Sequence, residues 1–207
     1  MKKIVVYNQI IPFAAHVFIS LDCDKIFWEK KHSFYVDRNT KIKSTLDSVF
    51  DKMKSYGVDS LTLTENFATV LSSNSCIGCF CSGDVDLSAD YKEKENIIAC
   101  LKEMNFISYD NRKSMGEESW EIMMFNNDKI FGGDFWINIV WKPVIRTFLI
   151  QDKYEKRLSQ DRLNANIVPG TKIRILNETS LMYFNSLHIA SGHYYTLTPG
   201  HRLFVDI

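Results

Sequence analysis

The sequence predicts an α/β fold, a small mixed sheet flanked by helices. Strand-like alternation recurs in short pieces. Leu61 and Leu63 alternate with threonines, and Val85 and Leu87 with aspartates; Trp120, Ile122 and Met124 follow, then Phe135, Ile137, Ile139 and Trp141. Helical spacing separates these pieces, in Ile42, Leu46, Val49, Phe50 and Met53 and again in Ile97, Ile98, Leu101 and Met104. The 207 residues, 45% apolar and 24% charged, can bury a core and match an ordinary globular composition.

Lys plus Arg number 25 and Asp plus Glu number 25, so no global charge draws the chain to nucleic acid. No apolar run is long enough to span a membrane. The start, Lys2-Lys3 and then Ile4 to Tyr7, has a faint signal-peptide character. Asn8, Gln9 and Pro12 interrupt it and no convincing cleavage site follows, so a cytoplasmic protein is expected. Five cysteines, an odd number, suit thiols better than a disulfide scaffold.

In chain order, residues 4–19 read as a short strand and a buried helix, with His16 a structural histidine. Trp28 and Phe34 are expected core anchors. Asp37-Arg38-Asn39-Thr40 reads as a turn and helix cap before the helix of residues 41–53, which Gly57 ends. A boundary near that glycine divides the chain into an N-terminal helical or mixed lobe, 1–55, and a main domain, 56–207. Phe67 to Leu71 suits strand or helix. Tyr91 to Met104 reads as a helix. The alternating pieces around Ile122 and Ile137 pair as a long hairpin. Residues 151–163 form a polar helix with Tyr154, Leu158 and Leu163 as contacts, and Lys153, Lys156, Arg157 and Arg162 facing water or a phosphate. Val168-Pro169-Gly170 is a turn. Asn177 or Thr179 caps a last helix carrying Leu181, Phe184, Leu187 and His188.

Chemistry concentrates in Ser72 to Leu87. Val85 and Leu87 facing a core put Asp84 and Asp86 together on the other face. A divalent cation relieves their repulsion, and magnesium suits oxygen ligands when phosphates supply the rest. The small residues before them could turn the backbone tightly and expose N–H groups to a phosphate. The bland reading is a turn and an edge strand with two solvated aspartates.

Ser72-Ser73, a ten-residue gap and Asp84-Val85-Asp86-Leu87 resemble the signature of the nucleotidyltransferase superfamily. That signature is a small pair, usually Gly-Gly or Gly-Ser, then an acidic-apolar-acidic-apolar strand. Ser72 stands where glycine is usual. The helix after Leu87 and Asn105-Phe106 look like the uncharacterised bacterial nucleotidyltransferases related to fukutin-type and lincosamide or aminoglycoside adenylyltransferases. Ile137-Asn138-Ile139-Val140-Trp141 occupies the place of their apolar-Asp-apolar-His-Trp strand. Leu181 to His188, His193 and Val205-Asp206-Ile207 look like their late helix and turn. The resemblance covers roughly residues 56–207.

The resemblance implies a nucleotidyltransferase-like core in which Asp84 and Asp86 bind Mg2+ with a nucleoside triphosphate, ATP being the expected one. Ser72 and Ser73 would hold its β and γ phosphates. The third carboxylate of the superfamily activates the acceptor hydroxyl, and Asn138 stands in its place. Asparagine takes no proton at neutral pH. Asp134, four residues upstream, is about 13 Å away on a straight strand. The implied activity is magnesium-dependent transfer of a nucleoside monophosphate to a hydroxyl of a small-molecule acceptor; nucleic acid is a disfavoured acceptor. The alternative is a catalytically weak or inactive module of the same fold that binds a ligand or partner.

Cys76, Cys79 and Cys81 could hold zinc with His188 or His193, or Cys76 and Cys79 could form a redox pair. Small, partly buried residues in a loop are the preferred reading, with no stoichiometric zinc. Trp136 and Tyr183 could stack a base or sugar, or fill the core.

Overall fold

The structure is a computed structural model that describes residues 11–22, 24–73, 76–80, 84–108, 121–126, 135–141 and 152–188, without the side chains of residues 11–13, 16, 152–155, 187 and 188. Residues 4–10, the first part of the expected strand and helix of 4–19, lie outside this set. So do the side chains of His16, Lys153, Tyr154, Leu187 and His188, and Cys81, Trp120, Asp134, His193 and Val205-Asp206-Ile207.

The described residues form α1 (Ile11–Ser20), α2 (Lys25–Ser55), β1 (Thr62–Leu63), α3 (Glu65–Ser72), β2 (Asp84–Ser88), α4 (Lys94–Glu103), β3 (Ile107–Ser108), β4 (Glu121–Asn126), β5 (Phe135–Val140), α5 (Asp152–Leu163), β6 (Asn166–Ile167), β7 (Arg174–Ile175) and α6 (Glu178–His188). The expected α/β class is what is found. The strands make one mixed sheet in the order β3-β4-β5-β2-β1-β7-β6. β2 pairs parallel with β5 and antiparallel with β1, β1 runs parallel to β7, and β4 and β5 pair antiparallel as expected.

One face of the sheet enters the main core through Val85, Leu87, Ile137, Ile139 and Met124, all at most 1% exposed. The helical stripe Ile42, Leu46, Val49, Phe50 and Met53 and α4's Ile97 and Leu101 belong to the same core. Each such side chain contributes roughly 1.5–3 kcal/mol relative to leaving it in water. A second, small cluster joins Ala14, Ala15 and Trp28, with Phe18 stacked on Trp28 at 4.9 Å. The helix α2 ends as its glycine predicts. Gly57 has φ 69, its N–H donates to Lys54 O, and the Val58 N–H donates to Met53 O.

Several expectations are corrected. Residues 37–40 are interior to α2, not a turn. Asn39 is fully buried and its Nδ2 donates to Ile77 O and Phe80 O at 2.7 and 2.8 Å. Its polar side chain serves a distant loop instead of ending its own helix. Phe34 is 51% exposed and Leu163 is 50% exposed, so neither anchors the core. Phe67 to Leu71 is helical, within α3. Asn177 does cap the last helix, its Oδ1 accepting the Ser180 N–H at 3.0 Å. No described helix is long and apolar enough to cross a membrane.

Candidate functional site

β2 runs through the middle of the sheet with its acidic residues facing away from the core. Its register with β5 sets Asp84 beside Trp136, Asp86 beside Asn138 and Ser88 beside Val140. Across β5, Met123 stands beside Asn138 and Glu121 beside Val140. Paired residues share a face and successive ones alternate. Asp84, Asp86, Ser88, Asn138 and Glu121 therefore lie on one side, opposite Val85, Leu87, Ile137 and Ile139.

Asn138 ties this face together. Its Nδ2 donates to Asp86 Oδ1 at 3.2 Å and to Glu121 Oε2 at 3.4 Å. Its Oδ1 is buried and has no hydrogen-bond partner among the described residues. The amide thus lies between two carboxylates.

A third carboxyl comes from β1's far end. The Thr64 N–H and Oγ1 both donate to Asp86 O, at 2.9 and 3.0 Å. The chain then enters α3 through Glu65, which has φ 58 and is 4% exposed. Left-handed backbone costs a residue with a Cβ roughly 1–2 kcal/mol. Glu65 Oε1 is buried without a hydrogen-bond partner among the described residues. Burial, above all, holds the Asp86 carboxyl well above the ordinary carboxylate range. The charges of Glu65 and Asp84 add to this, and the Asn138 amide partly opposes it.

Ser72 and Ser73 lie elsewhere. They close the C-terminal end of α3, seven or more residues beyond Glu65, which is roughly 10 Å along a helix axis. Both hydroxyls donate to Thr69 O, at 3.1 and 2.7 Å, as does the Ser73 N–H at 3.0 Å. The backbone that meets Asp86 is Thr64-Glu65, at the other end of that helix.

Two residues beyond Asp86, Ser88 meets a cation. Arg162 is 3% exposed; its Nε and Nη2 donate to Ser88 Oγ and its Nη1 to Asp90 Oδ1 at 2.6 Å. A further bond runs to Trp141 O. Arg162 was expected to face water or a phosphate; α5 instead buries it as a clamp on β2 and β5. Lys156 and Arg157 are exposed as expected. Trp136 is partly buried on the acidic side of β5, 5.0 Å from the Phe125 ring, and Tyr183 is 48% exposed on α6. Among the described residues, no group of three or more His, Cys, Asp and Glu side chains is placed to hold a metal ion. Cys76 instead contacts His32, Nε2 to Sγ 3.1 Å.

Glu65 and Glu121 were not singled out in the sequence. Glu121 had a signal: it falls on the polar phase of its strand, as Asn138 does on the next. Glu65 had none, because nothing local marks a buried glutamate at positive φ.

The molecule is thus an α/β protein with a carboxylate-lined face on its central strands. No family model matches the chain, and no curated protein matches it. The solution structure of the antibiotic-resistance factor ANT(2'')-Ia aligns over 79% of this chain and 83% of its own, at a TM-score of 0.47 and 8% identity. That likeness is too loose to bear on activity.

Proposed function

We propose that the protein transfers a nucleoside monophosphate from a nucleoside triphosphate, ATP being the expected one, to a hydroxyl of a small-molecule acceptor, with Mg2+ bound at Asp84 and Asp86. The observation that carries this reading is the shared face of Asp84, Asp86 and Asn138 on adjacent parallel strands. It is the arrangement that the acidic signature and the strand of Asn138 imply. The main domain, 56–207, would carry the site, with the α2 stripe of residues 1–55 packed into its core.

The donor set fits a hard cation. It comprises the Asp84 and Asp86 carboxylates on one face of β2; beside them Asn138 carries a buried Oδ1 without a partner among the described residues. Magnesium takes few protein ligands and leaves the rest to phosphates and water. When bound, it would neutralise triphosphate charge and polarise the phosphorus under attack. Asp84 and Asp86 would fix the triphosphate, and the Asp86 proton would leave when the cation arrives. Asn138 would orient the acceptor hydroxyl or a water by hydrogen bonds, since it cannot accept the proton. Ser72 and Ser73 are dropped as the phosphate cradle in favour of the Thr64-Glu65 turn, whose backbone lies against Asp86.

A second reading is favoured by Asn138 itself. An amide in place of a carboxylate, beside a buried Asp86 whose charged form burial disfavours, suits a module that binds its ligand and turns it over weakly. A pyrophosphate-release assay separates the two, run with each common triphosphate and with sugar, aminoglycoside and peptide acceptors. Wild-type release abolished by Asp84→Asn supports the transferase. Release that appears only in Asn138→Asp supports the weak module.

A further inference from the structure

Cys76 and His32 stand apart from the acidic face. His32 lies on α2, and Cys76 begins the short 3-10 turn Ile77–Cys79 between α3 and β2. Their Sγ and Nε2 atoms are 3.1 Å apart, a hydrogen-bonded thiol–imidazole contact across 44 residues of sequence.

The turn is held in place from both sides. Asn39, also on α2, donates to the carbonyls of Ile77 and Phe80. Gly78 lies flat against the helix, where an added Cβ would come within 2.7 Å of Val36 Cγ2 and 3.0 Å of His32 Nε2. Phe80 then anchors the exit in the core against Phe67, with ring centroids 4.6 Å apart. The imidazole and the thiol therefore meet in a fixed geometry. Cys76 remains partly accessible, and so does Cys79.

Cys79 closes the same turn. Its N–H donates to Cys76 O at 2.8 Å, which closes a four-residue turn. Such a turn brings the first and last Cα atoms within about 7 Å, and a disulfide spans Cα separations of roughly 4.4–6.8 Å.

We propose that Cys76 is a nucleophile toward low-molecular-weight disulfides, with His32 as its base and Cys79 as the resolving thiol. His32 Nε2 takes the thiol proton as Cys76 Sγ attacks one sulfur of the disulfide. The S–S bond of the reagent breaks, one thiolate leaves, and it recovers a proton. Cys79 Sγ then attacks Cys76 Sγ in the mixed disulfide and expels the second thiol. The protein dithiol is oxidised to a Cys76–Cys79 disulfide, and one reagent disulfide is reduced to two thiols.

The test uses the full chain and oxidised glutathione, followed by intact and peptide mass spectrometry. The wild type should lose two hydrogens in a single peptide containing Cys76 and Cys79. Cys79→Ser should stop at one glutathionyl group on Cys76. His32→Gln should slow adduct formation at Cys76 by about tenfold. That is less than a positioned base usually supplies, because a free thiol is already partly ionised. Thermal melts of each variant verify that it is folded. Mapping the first adduct in Cys79→Ser does not depend on the His32 variant. A first adduct on Cys100 or Cys23 in Cys79→Ser, or an unchanged rate in folded His32→Gln, would overturn the proposal.

Discussion

Asn138 stands beside Asp86 on the neighbouring parallel strand and donates Nδ2 to Asp86 Oδ1 at 3.2 Å. The same nitrogen reaches Glu121, and burial and the charges of Glu65 and Asp84 disfavour a charged Asp86. A neutral amide thus separates carboxylates that would otherwise repel each other. Asn138→Asp should lower Tm by about 2–4 °C, the shift that ~1 kcal/mol makes in a chain of this size. Millimolar magnesium should recover most of that loss. Thermal melts with and without the metal measure both.

Asp86 has a proton affinity raised by folding, so its charge is a burden on the native state. The sign follows from linkage. A carboxyl whose folded pKa lies above its unfolded value carries no penalty below the unfolded value, and stability falls as pH rises through the folded one. Asp86→Asn should therefore raise Tm at neutral pH by about 2–4 °C, and the gain should shrink in acid. A variant less stable than wild type at neutral pH would show that the charge is already compensated.

Much of the fold was legible because burial imposes periodicity. The stripe from Ile42 to Met53 and the alternations around Val85 and Ile137 have one apolar side each, and the core takes those sides. The acidic pair was legible for the same reason. Asn39 was not: its partners are the carbonyls of a turn 38 and 41 residues away, and locally it resembles a cap. The spacing of Ser72-Ser73 did not reveal that the pair ends a helix whose first residues, Thr64-Glu65, are the backbone that meets Asp86. Arg162 misled because a charged residue in a polar stretch resembles a solvated one until Asp90 and Ser88 come to meet it.

Arg162 and Asp90 form an ion pair in which the arginine is 3% exposed and the Asp90 side chain 11%. Removing one partner leaves the other charge buried, a change that costs about 3–5 kcal/mol. Arg162→Ala should lose that much in urea unfolding. The same substitution in an Asp90→Asn background should lose less, because no carboxylate is left uncompensated.

Cys100 is fully buried on α4, and burial pushes its thiol up to about 11; Glu103 adds to the shift and Lys52 opposes it. It should resist iodoacetamide at neutral pH in the native protein and react once the chain unfolds. The folded thiol keeps a proton that the unfolded one loses, so this group removes stability as pH rises between the ordinary thiol value of 9.0 and about 11. Peptide mapping after native and denatured alkylation checks the first point, and alkaline melts of Cys100→Ala check the second.

The central claim is that Asp84 and Asp86 hold a triphosphate through magnesium. Calorimetric titration with a non-hydrolysable triphosphate tests it, with and without magnesium, in wild type and Asp86→Asn. The expected result is binding that needs the metal and weakens at least about tenfold in the variant, a loss of ~1.4 kcal/mol. Affinity indifferent to both magnesium and Asp86, or no affinity for any common triphosphate, would contradict it and leave the two aspartates as structural members of a central strand.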